Sequence, residues 1–157
     1  NLHPIIAVGS EDALVARGVS PQSDDHLLWL GGVPDSIATH EVEVSQIVTL
    51  SPKLAELQFS AVARIETDEL EDGMFDSLYV ELRTLDDEDS LVWQFIERDN
   101  RDATNGWIEL EPSLPDPMDI RGMRDQTVIF KAYSRTDREN VTHFWLDSLS
   151  LRGLCNP

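Results

Sequence analysis

Along most of the chain apolar and polar residues alternate with a period of two, the pattern of strands that bury one face. In ATHEVEVSQIVTL one face carries Val42, Val44, Gln46, Val48 and Leu50, and the other Thr39, Glu41, Glu43 and Ser45. LAELQFSAVARIE sets Ala55, Leu57, Phe59, Ala61, Ala63 and Ile65 together. DSLYVELRTL turns Leu78, Val80 and Leu82 inward, LVWQFIE does so with Leu91, Trp93 and Phe95, and QTVIFKAYS with Val128, Phe130 and Ala132. HPIIAV, DALVA and HLLWL are earlier strands, and a closing strand starts near Thr142. That makes roughly nine strands.

Turn signals separate them: Gly31-Gly32-Val33-Pro34-Asp35, Ser51-Pro52, Asp86 to Asp89 and Asn105-Gly106. The proline cluster EPSLPDPMD (Glu111 to Asp119) reads as a long loop, because proline cannot donate to a central ladder. No segment has the period of an amphipathic helix. The pattern predicts an all-β fold, a two-layer antiparallel sandwich or jelly roll, built as a single domain over 1–157.

One residue interrupts the pattern. In HFWLDSLSLRGLC, Asp147 stands among Phe144, Trp145, Leu146, Leu149 and Leu151. An unpaired buried carboxylate costs several kcal/mol, so Asp147 must meet a cation, pair with Arg152, Arg135 or Arg64, or reach water.

Charge narrows the partners. Thirty acidic residues against 12 basic ones leave a net charge of −18, which repels nucleic acid and anionic membranes and attracts divalent cations. No apolar run approaches the roughly 18 residues of a membrane span. The single cysteine, Cys155, excludes an internal disulfide and C-x-x-C chemistry. The abrupt start NLHPIIAVGSEDALV is that expected of a mature product or a piece of a longer polypeptide.

No G-x-S-x-G elbow, H-E-x-x-H helix, P-loop or dinucleotide fingerprint is present. The Asp86 to Asp89 run lacks the alternating ligands and glycine of an EF-hand and reads as a solvated hairpin tip. Asp68, Glu69, Glu71 and Asp72 form a similar acidic loop. Of the four tryptophans, Trp29, Trp93 and Trp145 suit the core, whereas Trp107, following the Asn105-Gly106 turn, is the one best placed to stack on a sugar.

Taken in order, HLLWLGG, VSQIVTLSPKLAELQFS, DSLYVELRT, GWIEL and QTVIFKAYSRTDRENVTHFWLDSLSL form a series. That series resembles the galactose-binding-like jelly-roll domains attached to secreted bacterial enzymes and surface proteins, a group that overlaps carbohydrate-binding modules. Trp29-Leu30-Gly31-Gly32 matches the small-residue turn after an aromatic strand. Trp145 to Leu151 matches the final aromatic-Leu-Asp-Asp-Val-x-Leu strand, with Ser148 in place of the second Asp.

The resemblance implies a structural Ca²⁺ with Asp147 as one ligand and Glu11 or Asp12 as an early partner. It also implies carbohydrate binding in the end loops or on a sheet face, with Trp107, Arg101 and Arg135 as candidate contacts. The expected protein is a non-catalytic accessory module, tied to neighbouring domains of a larger secreted or cell-surface protein, with a glycan as ligand. The alternative is a structural or protein-interaction domain with no small ligand. A hydrolase built on dispersed carboxylates ranks last.

Overall fold

The computed structural model describes residues 14, 17–23, 26–31, 40–70, 73–86, 89–137 and 140–156, and the backbone of 5–8. Within these the chain is an all-β sandwich of two antiparallel sheets. The strands are β1 (Ile5–Val8), β2 (His26–Gly31), β3 (His40–Thr49), β4 (Leu54–Thr67), β5 (Ser77–Thr84), β6 (Leu91–Asp99), β7 (Ile108–Glu109), β8 (Thr127–Thr136) and β9 (Thr142–Cys155). One sheet has the order β1-β2-β9-β4-β7 and the other β3-β8-β5-β6. No helix of the described residues is long and apolar enough to cross a membrane.

The alternation explains the layers. Leu57, Phe59, Ala63, Ile65, Phe144 and Leu146 of the first sheet pack on Val42, Leu78, Val80, Leu82, Val128 and Ala132 of the second. At the centre Phe59 stacks on Phe95 at 5.1 Å, and Phe130 meets both rings edge-on. Each such side chain withdrawn from water contributes about 1.5–3 kcal/mol. Gly31 is required where β2 crosses β9: its φ is +75°, and a Cβ there would lie 2.7 Å from the Thr142 carbonyl.

Three expectations change. Leu14, the described residue of DALVA, is helical and not in a strand; its carbonyl accepts from Arg17 and Val19. The proline cluster is not all loop, since α1 (Pro117–Met123) begins within it. Asp116 caps that helix by accepting from the Met118 and Asp119 amides, and Pro117 occupies the first turn, where its missing N–H does no harm. Helix α1 buries Ile120 and Met123 in the core. Leu91 faces outward, 52% exposed, because register shifts at Val80/Glu81 and Leu82/Arg83 move the phase of β6 and bury Ile96.

Candidate functional site

The five-stranded sheet carries an outward row of β4–β9 pairs: Glu66–His143, Arg64–Trp145, Val62–Asp147, Ser60–Ser150, Gln58–Arg152 and Glu56–Leu154. Its upper half is covered by residues 17–23, which cross it as a strap. Leu14, Val19, Leu27 and Trp145 form a second buried cluster beneath the strap, flanked by Trp29 and Trp107.

Asp147 holds that strap. Its Oδ2 accepts from the amides of Gln22 (2.7 Å) and Ser23 (2.9 Å), and its Oδ1 from the Ser23 hydroxyl (2.8 Å) and the Ser148 amide. Burial works to raise its pKa, but these donors outweigh it and hold the carboxyl below its usual range. The carboxylate is therefore charged, 7% exposed, and satisfied by dipoles. Ser148 sits at φ +54° beside a register shift between Ser60 and Val62. Glu11 and Asp12, the expected metal partners of Asp147, lie outside the described residues.

Trp107 serves the same strap: its indole N–H donates to the Ser20 carbonyl at 3.0 Å. Arg64 reaches the Gly18 carbonyl at 3.3 Å with its guanidinium 5.8 Å from the Trp145 ring. Arg101 is bound to both oxygens of Asp99, and that carboxylate caps a 3-10 turn at Asn100–Asp102. Arg135 lies on the outer face of the other sheet, paired with Glu41 at 2.8 Å. Trp107 and Arg135 thus lie on the outer faces of different sheets, and each of the three expected sugar contacts is engaged with a neighbour of its own.

Around Arg135 the outer face of the four-stranded sheet is an ionic ladder. Tyr133 stacks on Tyr79 at 5.0 Å, and Arg83, Lys131 and Arg135 lie 4.7–5.9 Å from its centroid. Glu41, Glu43 and Glu81 pair with those cations. Its charged groups are spent on one another.

The lower half of the β4–β9 face differs. Two hollows of about 380 and 460 Å³ share Phe59 and Ser60 and form one trough. Its floor is Ser60, Ser150, Gln58 and Arg152; Gln22 and Ser148 mark the strap end, and Leu110 and Leu114 stand at the side. Gln58 gives one amide hydrogen to Glu56. Ser60, Ser150 and Arg152 make no side-chain hydrogen bond to another described residue. Hydroxyl, carboxamide and guanidinium groups remain available there to a ligand.

At another place three acidic side chains converge: Glu69 after β4, Asp76 before β5 and Asp137 after β8. One carboxylate oxygen from each lies within 4.8 Å of those of the other two. Asp76 is fully buried; its Oδ1 accepts from the Asp137 amide at 2.7 Å, and its Oδ2 has no hydrogen-bond partner of ordinary geometry. Burial pushes its pKa up, assisted by the charge of Asp137 and opposed by the Thr142 hydroxyl and by the Asp137 and Thr142 amides. Asn100, 3% exposed, fixes the turn before Asp76 by accepting from the Phe75 and Asp76 amides and donating to the Gly73 carbonyl. Asn140 donates to Glu69 at 3.0 Å. Glu69 had read as part of a solvated acidic loop, and Asp76 and Asp137 carried no signal of their own. The Ser77–Arg135 pairing of β5 with β8 brings Asp76 and Asp137 side by side, and Glu69 comes from the end of β4 in the other sheet.

The chain matches no model of a known protein family, and no curated protein matches it.

Proposed function

We propose that this chain is a non-catalytic accessory module of galactose-binding-like jelly-roll type, part of a larger secreted or cell-surface protein, which binds a short uncharged oligosaccharide in the β4–β9 trough. The observation that supports the reading is the trough's uncommitted polar lining, set against the paired groups of the Tyr133 ladder. Cross-strand neighbours roughly 5 Å apart and same-strand neighbours roughly 7 Å apart make a grid of donors and acceptors suited to a rigid polyhydroxylated ligand. The net charge of −18 disfavours an acidic glycan.

The test is affinity electrophoresis and a glycan array with the native chain, Arg152→Ala and Trp107→Phe. Binding that Arg152→Ala abolishes and Trp107→Phe keeps supports the trough. Loss with Trp107→Phe in a folded protein moves the site to the strap. No retention on any neutral glycan favours the structural alternative, and release of reducing ends from a polysaccharide would make the chain a hydrolase.

A further inference from the structure

A cluster of carboxylates is ordinarily a solvated surface, and the chain has many acidic residues to spare. The Glu69–Asp76–Asp137 cluster departs from that in one respect. Asp76 is 0% exposed and offers an oxygen to the cluster, and its Oδ2 has no hydrogen-bond donor of ordinary geometry. Two ionised carboxylates at such a separation repel by about 3 kcal/mol at an effective dielectric near 20. Leaving a buried acceptor unmade adds to that cost. Folding tolerates such a site when a positive centre or a proton completes it.

We infer that Glu69, Asp76 and Asp137 form a binding site for a divalent, oxygen-seeking cation of the size of Ca²⁺, clamping the two sheets together at one end of the sandwich. The donor set is hard oxygen, with no histidine or thiol, which suits Ca²⁺ and disfavours Zn²⁺. Oxygens within 4.8 Å of one another fit on a single sphere of Ca–O radius about 2.4 Å. Three carboxylates supply the charge, and water fills the remaining positions.

The placement gives the site a mechanical role. Glu69 follows the last residues of β4 in the five-stranded sheet, while Asp76 and Asp137 flank the adjoining strands β5 and β8 of the other. The neighbouring connections are already stitched: Thr67 and Thr142 share a hydroxyl hydrogen bond of 2.8 Å, and the Asp68 amide donates to the Val141 carbonyl. A cation there ties both layers across the connection between β8 and β9. The site stands without the glycan reading, since no residue of the trough belongs to it.

The experiment is thermal unfolding of the native chain in excess EDTA and then in excess CaCl₂, with calorimetric titration of Ca²⁺ at 25 °C. Native protein, Asp76→Asn, Glu69→Gln and Asp147→Asn are compared. At a hundredfold excess over Kd, calcium is expected to raise the native midpoint by roughly 5–10 °C. Asp76→Asn and Glu69→Gln are expected to lose the rise and the titration heat; Asp147→Asn is expected to melt lower and keep both. No rise and no heat with the native chain overturns the site. So does a response that survives in Asp76→Asn or Glu69→Gln, and so does one lost only in Asp147→Asn, which would move the metal to the closing strand. Using two variants and a titration below the melting range keeps the result readable if one substitution weakens the fold.

Discussion

Asp147, within β9, and Asp76, just before β5, are both buried aspartates, and their surroundings are opposite. Asp147 receives donors on both oxygens from Gln22, Ser23 and Ser148, and its pKa falls. Asp76 has one donor of ordinary geometry, the Asp137 amide, with further help from Thr142; it stands beside two further carboxylates, and its pKa rises. Burial acts on both in the same direction. The balance is decided by how many N–H and O–H dipoles point at the charge, and whether other charges share the space. Asp147 is a finished structural device, whereas Asp76 is an incomplete one that a cation would complete.

The largest effect should come from breaking the finished device. Asp147→Ala removes the acceptor for the strap and leaves the Gln22 and Ser23 amides without it. We expect a loss of about 3 kcal/mol, read by chemical denaturation, with faster proteolysis near residues 17–23. An unchanged midpoint would mean that the strap contributes nothing to stability.

Acid tests the same region by another route. His143, 1% exposed, accepts from the Trp29 indole at Nδ1 and stacks on Trp145 at 5.2 Å. Burial first, then the charge of Arg17, lowers its pKa to about 4 from 6.5, against an opposing pull from Asp68. The folded pKa lies below the unfolded one, so protonation favours the unfolded chain. The contribution is complete above about pH 6.5 and is lost as the pH falls through about 4, a change of about 3 kcal/mol. Asp147, with its depressed pKa, keeps its contribution until the pH falls below the ordinary aspartate range. His143→Gln should flatten the stability curve between pH 6.5 and 4, and a curve that keeps its slope would refute the assignment.

A smaller, opposite effect is expected at the other aspartate. In chelator, Asp76→Asn removes a buried charge while keeping an acceptor for the Asp137 amide. Stability should hold or rise by about 1 kcal/mol. A marked loss in chelator would show that Asp76 is as well compensated as Asp147, and the contrast would collapse.

Trp107→Phe should cost about 1 kcal/mol through the lost bond to Ser20. Least of all, about 1 M NaCl should shift the contribution of the Lys131 pairs, whose Glu41 and Glu43 carboxylates are half-exposed, by well under 1 kcal/mol, measured as the difference between native protein and Lys131→Met.

Much of the fold was legible because burying one face of a strand imposes a period of two on the sequence itself. β3, β5 and β8 keep that period, as does β4 from Leu57 to Ile65, and most of their predicted inward residues are core; Gln46 is exposed, and a register shift at Leu54/Glu56 buries Leu54 where Ala55 was expected. β6 misled where register shifts moved Leu91 outward, since a bulge leaves no mark in composition. Helix α1 was hidden by prolines that read as breakers, although Asp116-Pro117 is also a helix start. The site was far less legible. Asp147 could be singled out by its neighbours, but its partners lie 124 and 125 positions away, in a segment with no pattern of its own.

The sequence by itself therefore determined the class of fold, the two-faced strands and the acidic character, because each is a property of residues near one another along the chain. Only the tertiary structure decided that Trp107 and Asp147 hold a strap, that Ser60, Ser150 and Arg152 lie open in a trough, and that Glu69, Asp76 and Asp137 meet. Those outcomes depend on strand pairing and sheet packing, which bring together side chains far apart in sequence and fix which polar groups are satisfied and which are left over.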